Sequence, residues 1–265
     1  MSGASVRAAG IVTGWGRGLE ALPTDVQAAA QGRRVVEATP KPRKGDRLRR
    51  ATRECLLAID AVEALLEDGV IARADIAGDG TALVYVTAAA YGASNRAFVE
   101  GGGGALHFPY TAPSAVPAEV AIEFGLHGPY AVLIGGAATT IDALEHARTL
   151  LGRGACARAL VLAVETFAEC ADLHARARWL HVRPLVEAAA AVLLEPGGGQ
   201  NGDERTMPDG TTAKDIMIGE TLACGPLIAL ALARAGGRED VLARGRWRGR
   251  ETALTLGVRA AARTS

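Results

Sequence analysis

The chain has 265 residues with 29 basic and 29 acidic side chains, and 49% of its residues are hydrophobic. The balanced charge excludes a global field that would attract nucleic acid, and the hydrophobic content is typical of a globular protein rather than a disordered one. The four cysteines, Cys55, Cys156, Cys170 and Cys224, show no CxxC spacing, which argues against a disulfide framework or a zinc site and predicts reduced, mostly buried thiols.

Alternating strand and helix patterns begin near the N-terminus. Ala8 to Thr13 is a short apolar strand, and Thr24 with Gln27 forms a capping box that predicts a helix. Arg49 to Glu67 carries apolar residues at helical spacing and a charged outer face, which predicts an amphipathic helix. The apolar run from Thr81 to Ala88 predicts a buried strand.

The middle of the chain holds a strand, a glycine turn and a helix. Ser114 is placed to cap a helix that runs to Phe124. The apolar run from Ala131 to Ile134 predicts a buried strand, and apolar residues then recur at helical spacing as far as Leu151. The turn between this strand and this helix consists of Gly135, Gly136, Ala137, Ala138 and Thr139.

This turn is the best candidate for a ligand site. A glycine turn that opens a helix aims backbone N–H groups at whatever lies above the helix start, where an anion or a thiolate is stabilised. We therefore assign the five turn residues as candidate ligand-binding residues.

The last third of the chain adds three more patterns. Arg158 to Glu165 and Ala188 to Leu194 predict buried strands, and a glycine-rich stretch from Gly197 to Gly210 predicts an exposed loop. Beyond it, Thr221 to Ala235 predicts an Ala- and Leu-rich helix and Glu251 to Val258 a final strand. Strands that alternate with helices predict a layered α/β fold.

Neither a signal peptide nor a membrane span is indicated. The first ten residues contain no apolar core, and the longest apolar run, Ala188 to Leu194, is far below the roughly 20 residues that a membrane helix needs. We expect the protein to be cytoplasmic.

Several segments, in the right order over residues 6 to 195, resemble the N-terminal half of β-ketoacyl synthases of the thiolase-like family. GPYAVLIGGAATTIDALEHARTLLGRGACARALVLAVE, from Gly128 to Glu165, resembles the segment that carries the nucleophile. AAGIVTGWGRG is similar to the opening strand and turn, RRATRECLLAIDAVEALLEDGVI to the first long helix, FPYTAPSAVPAEVAIEFGLHGP to the helix before the nucleophile strand, and RPLVEAAAAVLLE to the strand that closes the half.

The chain departs from that family at the residues that carry out the reaction. Ala137 stands where the resemblance places the nucleophilic cysteine, and Glu220 stands where a histidine opens an Ala-rich helix of the second half. Most of that second half is missing. Condensation needs a thiolate and imidazoles that hold an oxyanion, so we expect no ketosynthase activity.

Other residues could take over the chemistry or be purely structural. Cys170 and Cys224 are alternative nucleophiles, although a small buried side chain is the simpler interpretation of each. His146 follows Asp142 by one helical turn, which favours a salt bridge over a proton-transfer pair. Glu165 is expected to be a structural hydrogen-bonding group. The histidines show no ligand spacing, so we expect no metal and no cofactor.

Two basic runs are candidates for docking an acidic acyl carrier protein, or are solvated surface. The second run contains Arg244, Arg246, Arg248 and Arg250. The first run, which we assign as the carrier-protein docking candidate, contains Lys41, Arg43, Lys44, Arg47, Arg49 and Arg50.

The expected fold is a thiolase-like half: a mixed, mostly parallel five-stranded sheet with helices on both faces and a short C-terminal remnant. We expect residues 1–196 to form the synthase-like α/β domain, 197–212 to form a loop, and 213–265 to pack a helix and a strand on the same domain. A lone half leaves an apolar face uncovered, so we expect a homodimer or a heteromer with a full-length ketosynthase.

Three functions are compatible with these features. The first is a non-catalytic subunit that assists a condensing enzyme in fatty-acid or polyketide synthesis, as chain-length factors do. The second is a repurposed acyl-binding or acyl-transfer enzyme that uses another residue. The third is a structural interaction module without a ligand. The missing nucleophile favours the first and the third.

Overall fold

The computed structural model describes residues 3–43, 47–49, 51–101, 108–172, 183–197 and 218–259. In these ranges the strands are β1 (Ala4–Thr13), β2 (Gly16–Arg17), β3 (Val35–Val36), β4 (Thr81–Thr87), β5 (Tyr130–Ile134), β6 (Arg158–Glu165), β7 (Leu185–Val186), β8 (Ala188–Pro196), β9 (Asp240–Trp247) and β10 (Arg250–Val258). The helices are α1 (Val26–Ala30), α2 (Arg53–Gly69), α3 (Arg73–Ile76), α4 (Ala90–Glu100), α5 (Ala115–Phe124), α6 (Ala137–Gly152) and α7 (Gly225–Ala235). Short 3₁₀ turns lie at Phe108–Thr111, Ala168–Cys170 and Leu222–Cys224.

The main sheet has the strand order β5-β4-β6-β8-β1-β10-β9, and β2 pairs with the end of β1. β4 runs parallel to both β5 and β6, whereas β8 runs antiparallel to both β6 and β1. Among the first five strands of this order, β8 alone therefore points the other way. This is the mixed, mostly parallel five-stranded sheet that the sequence predicts.

The C-terminal part of the chain extends this sheet. β10 pairs in parallel with β1, with Ser5 opposite Gly257, and β9 pairs antiparallel with β10. β9 is not among the predicted strands, because its outward positions hold Arg244 and Arg246 and one inward position holds Gly245, which together hide its alternation. The remnant is thus a helix and a two-stranded hairpin rather than a helix and one strand.

Helices cover both faces of the sheet, as predicted. On β4, Leu83 and Tyr85 face the cluster built by α2 and α5, whereas Val84 and Val86 face the cluster that contains α6 and α7. Side chains that alternate along a strand and are apolar on both faces identify a sheet buried on both sides. Apolar burial on two faces supplies most of the driving force for this fold.

Some predicted details differ from the structure. The N-cap of α1 is Asp25, whose carboxylate accepts the backbone N–H groups of Gln27 and Ala28, so the predicted cap at Thr24 is wrong by one residue. Ser114 precedes α5 but makes no side-chain cap hydrogen bond. The helix α4 lies where no element was predicted. Most of the predicted loop at 197–212 lies outside the described residues.

Candidate functional site

The candidate site is built on the predicted strand, glycine turn and helix, although the strand is partly exposed at the edge of the sheet rather than buried as predicted. β5 ends at Ile134, the amide of Gly135 donates to the carbonyl of Thr87 at 2.9 Å, and α6 begins at Ala137. Gly136 is the N-cap of α6, and its carbonyl accepts the amide of Thr140 at 3.2 Å. The turn therefore delivers Ala137 to the first position of a 16-residue helix.

The hairpin β9–β10 lies directly over this turn. A Cβ added to Gly245 would sit 2.2 Å from the carbonyl oxygen of Ala137, and one added to Gly136 would sit 2.4 Å from the indole ring of Trp247. Any larger residue at either position would clash, so both glycines are required by close approach rather than by flexibility. Trp247 thus covers the turn from above.

Two polar contacts fasten the hairpin to α6. The hydroxyl of Thr252 donates to the carbonyl of Ala138 at 3.1 Å. Arg250 makes a two-pronged pair with Asp142, at 2.5 and 2.8 Å. Asp142 therefore pairs with Arg250 and not with His146, so the salt bridge expected within α6 is replaced by one between α6 and β10.

Ala137 opens onto a cleft of about 210 Å³. Glu220 lies in the same cleft, where one carboxylate oxygen accepts the amide of Leu222 at 2.9 Å. The fold thus brings together the two positions at which the sequence departs from the synthase pattern. The cleft is lined by Ala137, Arg183, Ile218, Gly219, Glu220, Thr221, Leu222, Gly225, Pro226, Arg244, Gly245 and Arg246.

Glu165 is fully buried at the carboxyl end of β6. It accepts the amides of Ala88 at 2.7 Å, Ala89 at 2.9 Å and Ala223 at 3.3 Å. Burial raises the pKa of its carboxyl group to about 8, against the opposing effect of these hydrogen bonds. These contacts join the end of β4 to the turn before α7, so Glu165 has the structural role that the sequence predicts.

Of the two alternative nucleophiles, Cys224 has a described side chain and Cys170 does not. Cys224 is fully buried, its thiol donates to the carbonyl of Ala188 at 3.4 Å, and burial together with nearby Glu165 raises its pKa well above the usual value. A thiol in this setting is a poor nucleophile. Cys170 ends a 3₁₀ turn, but its side chain lies outside the described residues, so its role stays a prediction.

Most of the first basic run that the structure describes is already paired. Arg43 contacts Asp60 and bonds Glu63 at 2.7 and 2.9 Å, and Arg47 contacts Glu123. These pairs tie the segment to α2 and α5 and leave little unpaired charge for a partner. Lys44 and Arg50 lie outside the described residues. Lys41 and Arg49 are exposed, so docking through this run stays a prediction.

Glu187 is a further buried acid that was not predicted from the sequence. Glu187, between β7 and β8, accepts the amides of Ala38 at 2.9 Å and Phe167 at 2.7 Å and forms an ion pair with Arg53. Burial alone would raise the pKa of Glu187, but Arg53 and the amides lower it below the usual value. The glutamate within the apolar run RPLVEAAAA is the sequence signal that could have identified this buried hydrogen-bonding residue.

Among the described residues no cluster of three or more His, Cys, Asp or Glu side chains is arranged to hold a metal ion. In the same part of the chain, no helix combines the length and the apolar character needed to cross a bilayer.

Comparison with known proteins identifies the fold and the domain type. The family model of the β-ketoacyl synthase N-terminal domain matches residues 23–190, which is more than half of the chain. No curated protein sequence matches the chain.

Three solved structures are similar over nearly their whole length. The ishigamide ketosynthase/chain length factor shares 18% identity, covers 96% of this chain and 98% of its own, and has a TM-score of 0.66. A β-ketoacyl synthase from Burkholderia phymatum STM815 shares 12% identity over 98% of this chain and 100% of its own, with a TM-score of 0.73. A chain of a type II PKS acyl-carrier protein in complex with its ketosynthase shares 13% identity over 97% and 99%, with a TM-score of 0.70. At such identities the likeness is one of fold.

Proposed function

The chain belongs to the β-ketoacyl synthase family, and from this membership we propose that it is a non-catalytic subunit that assists a condensing enzyme in fatty-acid or polyketide synthesis. The observation that carries the proposal is Ala137, which occupies the start of α6 where the resemblance places the nucleophile. A methyl group cannot form a thioester. The similar structure described as a ketosynthase/chain length factor supports the same role.

The rest of the cleft also argues against condensation. Stabilisation of an oxyanion requires hydrogen-bond donors aimed at the developing charge. Glu220 instead places an acceptor-only carboxylate in the cleft, and the imidazole of the family is gone. Cys224 is buried and its thiol group is held by a carbonyl, which argues against the alternative of a repurposed acyl-transfer enzyme through this residue.

The partner surface in this proposal is the edge of the sheet at β5. Within the described residues β5 pairs only with β4, and its Tyr130 and Ile134 are 48% and 50% exposed. Ile122 of α5 and Phe108 are also largely exposed. An unpaired strand edge with apolar neighbours is typical of a surface that another chain covers. We infer that a full-length ketosynthase covers it, in preference to a second copy of this chain.

An acyl carrier protein is the second proposed partner. One similar structure is described as a carrier protein in complex with its ketosynthase. Within this proposal residues 1–196 form the synthase-like unit, 197–212 connect it to the remainder, and 213–265 add α7 and the hairpin to the same sheet.

Reconstitution with a condensing enzyme tests the proposal. The chain is purified alone and co-purified with a full-length ketosynthase from the same organism, and each sample receives acyl and malonyl carrier protein. We expect product only from the co-purified sample, and no acyl adduct on this chain in its intact mass spectrum. Product or a stable adduct from the chain alone would overturn the proposal, and an adduct mapped to Cys170 would establish the acyl-transfer alternative.

A further inference from the structure

The β9–β10 hairpin is anchored on α6 at one cross-strand pair of residues. Gly245 and Thr252 face each other across the hairpin. Gly245 packs closely against the carbonyl of Ala137. The Thr252 hydroxyl donates to the carbonyl of Ala138 at 3.1 Å. Residues 246–251, which we call the hairpin tip, extend beyond this anchor.

The hairpin tip is fastened to α6 by an exposed ion pair and by one aromatic side chain. Arg250 pairs with Asp142, and these two side chains are 59% and 33% exposed. An ion pair this exposed contributes little to stability, because water screens it. The second contact is the indole of Trp247, which lies against the backbone of Gly136. The packing of the indole therefore has the larger effect on where the tip lies.

The turn at the end of the hairpin tip is strained at Arg248. Trp247 pairs with Arg250, so Arg248 and Gly249 form a two-residue turn, with φ values of 50° and 82°. Positive φ at both residues is the backbone of a type I′ turn, in which the first position prefers Asn, Asp or Gly. The guanidinium group of Arg248 lies over the Trp247 ring at 5.6 Å. This cation–π contact couples the strained turn to the indole.

The indole lies where three neighbouring parallel strands end. Gly136 follows β5, Ala88 follows β4 and Phe167 follows β6. Trp247 contacts Gly136 and packs on the buried cluster that contains Phe167 and Leu222. Leu222 also lines the cleft described above, so the apolar slot between Gly136, Phe167 and Leu222 borders that cleft. Ligands of open α/β sheets bind outside the carboxyl ends of the strands, which is the place that the indole fills.

We propose that the hairpin tip is a lid whose Trp247 indole fills this slot and is displaced by a planar aromatic group of a ligand. A slot that accepts an indole has the apolar lining and the width for a flat ring of similar size. The ligand binds only when the lid is open, so its apparent affinity falls with the fraction of open molecules. The proposal concerns the isolated chain and does not depend on the subunit role.

Binding of free indole to the full chain tests the slot. Trp247→Ala empties the slot, and apolar cavities of this kind bind aromatic molecules. We therefore expect indole at millimolar concentration to raise the melting temperature of folded Trp247→Ala by a few degrees and that of the wild type by less. Circular dichroism confirms that the variant is folded.

Hydrogen exchange followed by mass spectrometry tests the lid. Asp142→Asn keeps the indole and removes its ion pair, so indole that enters the slot should hold the lid open more often than in the wild type. The amides of residues 246–251 in Asp142→Asn should then exchange about twofold faster or more with indole than without it. A purely structural Trp247 predicts no effect of indole on this exchange.

Glu195→Gln is the matched control, because it breaks the exposed pair of Glu195 with Arg259, which lies beyond the other end of β10. Indole should leave exchange of the hairpin tip in this variant as it is in the wild type. The proposal is overturned by a folded Trp247→Ala that indole does not stabilise, or by exchange of the tip in Asp142→Asn that indole does not change. If Trp247→Ala does not fold, the exchange measurement decides alone.

Discussion

At the scale of single residues, the turn before α6 could be predicted from the sequence, whereas the Trp247 side chain that covers it could not. Gly135, Gly136 and the apolar spacing of α6 specify a strand, a turn and a helix, because each signal is local. The contact of Trp247 with Gly136 joins residues far apart in the chain, and no local pattern encodes it. Ala137 and Glu220 were identified as degenerate positions, but no local pattern in the sequence predicts that they line the same cleft.

A thiol restored at the turn should be reactive. We expect Ala137→Cys to give a cysteine with a lowered pKa, because the partial positive charge at the start of α6 favours the thiolate. The rate of alkylation by iodoacetamide as a function of pH, followed by intact mass, measures this. The wild-type protein is the control, because Cys55, Cys156 and Cys224, whose side chains the structure describes, are all buried.

Trp247 should limit that reactivity. Because its indole covers Gly136, the double variant Ala137→Cys with Trp247→Ala should be alkylated faster than Ala137→Cys alone. If the single variant reacts no faster than an ordinary free cysteine and the double variant is no faster, the turn has lost the architecture of an acylation site.

Glu165 should make stability depend on pH. Its pKa is raised to about 8 in the folded protein from an ordinary value of 4.5, so the folded state holds the proton more tightly than the unfolded state. The resulting stability is fully present below about pH 4.5 and is lost as the pH rises through about 8, with a slope of about 1.4 kcal/mol per pH unit between these values. Glu165→Gln should flatten this slope in urea unfolding at pH 5 to 8.5, and an unchanged slope would assign the dependence to other groups.

At the scale of elements, prediction succeeded where burial is continuous. β4, β6 and β8 are apolar on both faces, so their runs stand out in the sequence, and α2 carries a clear helical period. β9 and α4 were missed because their inward residues are few or small. The cap of α1 was misplaced because Thr24 and Asp25 are both good cap residues, and only the backbone decides between them.

An ion pair with a buried arginine and a partly exposed aspartate holds three elements together. Asp68 at the end of α2 bonds Arg234 of α7 at 2.6 Å through both oxygens and accepts the amide of Ala9 in β1 at 2.9 Å. Arg234 is only 3% exposed whereas the Asp68 side chain is 32% exposed, so Asp68→Asn leaves a buried charge without its ionic partner and should cost about 1.5–3 kcal/mol of unfolding free energy.

The exposed pair Arg17 and Glu67 is the matched comparison. Its glutamate side chain is 63% exposed, and Glu67→Gln should cost less than about 1 kcal/mol. Chemical denaturation of both variants measures the difference. Similar small losses for both would mean that Arg234 finds another partner when Asp68 is neutralised.

At the scale of the whole molecule, the β5 edge should be the assembly surface. An interface with a condensing enzyme should reach the standard class of roughly 1,600 Å². Ile134→Lys should dissociate the complex, because it buries an uncompensated charge, while the isolated chain stays folded since Ile134 is already half exposed.

Light scattering of the co-purified complex measures that dissociation. Val70→Lys is the control, because Val70 is 74% exposed at the end of α2, away from β5. An intact complex with Ile134→Lys, or a stable monomer from which no partner is recovered, would remove the subunit proposal.

The position of β1 in the sheet has a consequence for biosynthesis. β1 precedes its two long neighbours, β8 and β10, by about 190 and 250 residues in the chain, as the pairings of Ala4 with Pro196 and of Ser5 with Gly257 show. During synthesis β1 therefore lacks both long partners until these strands have emerged, so its apolar side chains stay exposed to misfolding and aggregation over that interval. Proteolysis of ribosome-stalled chains should find β1 protected only once β8 has emerged.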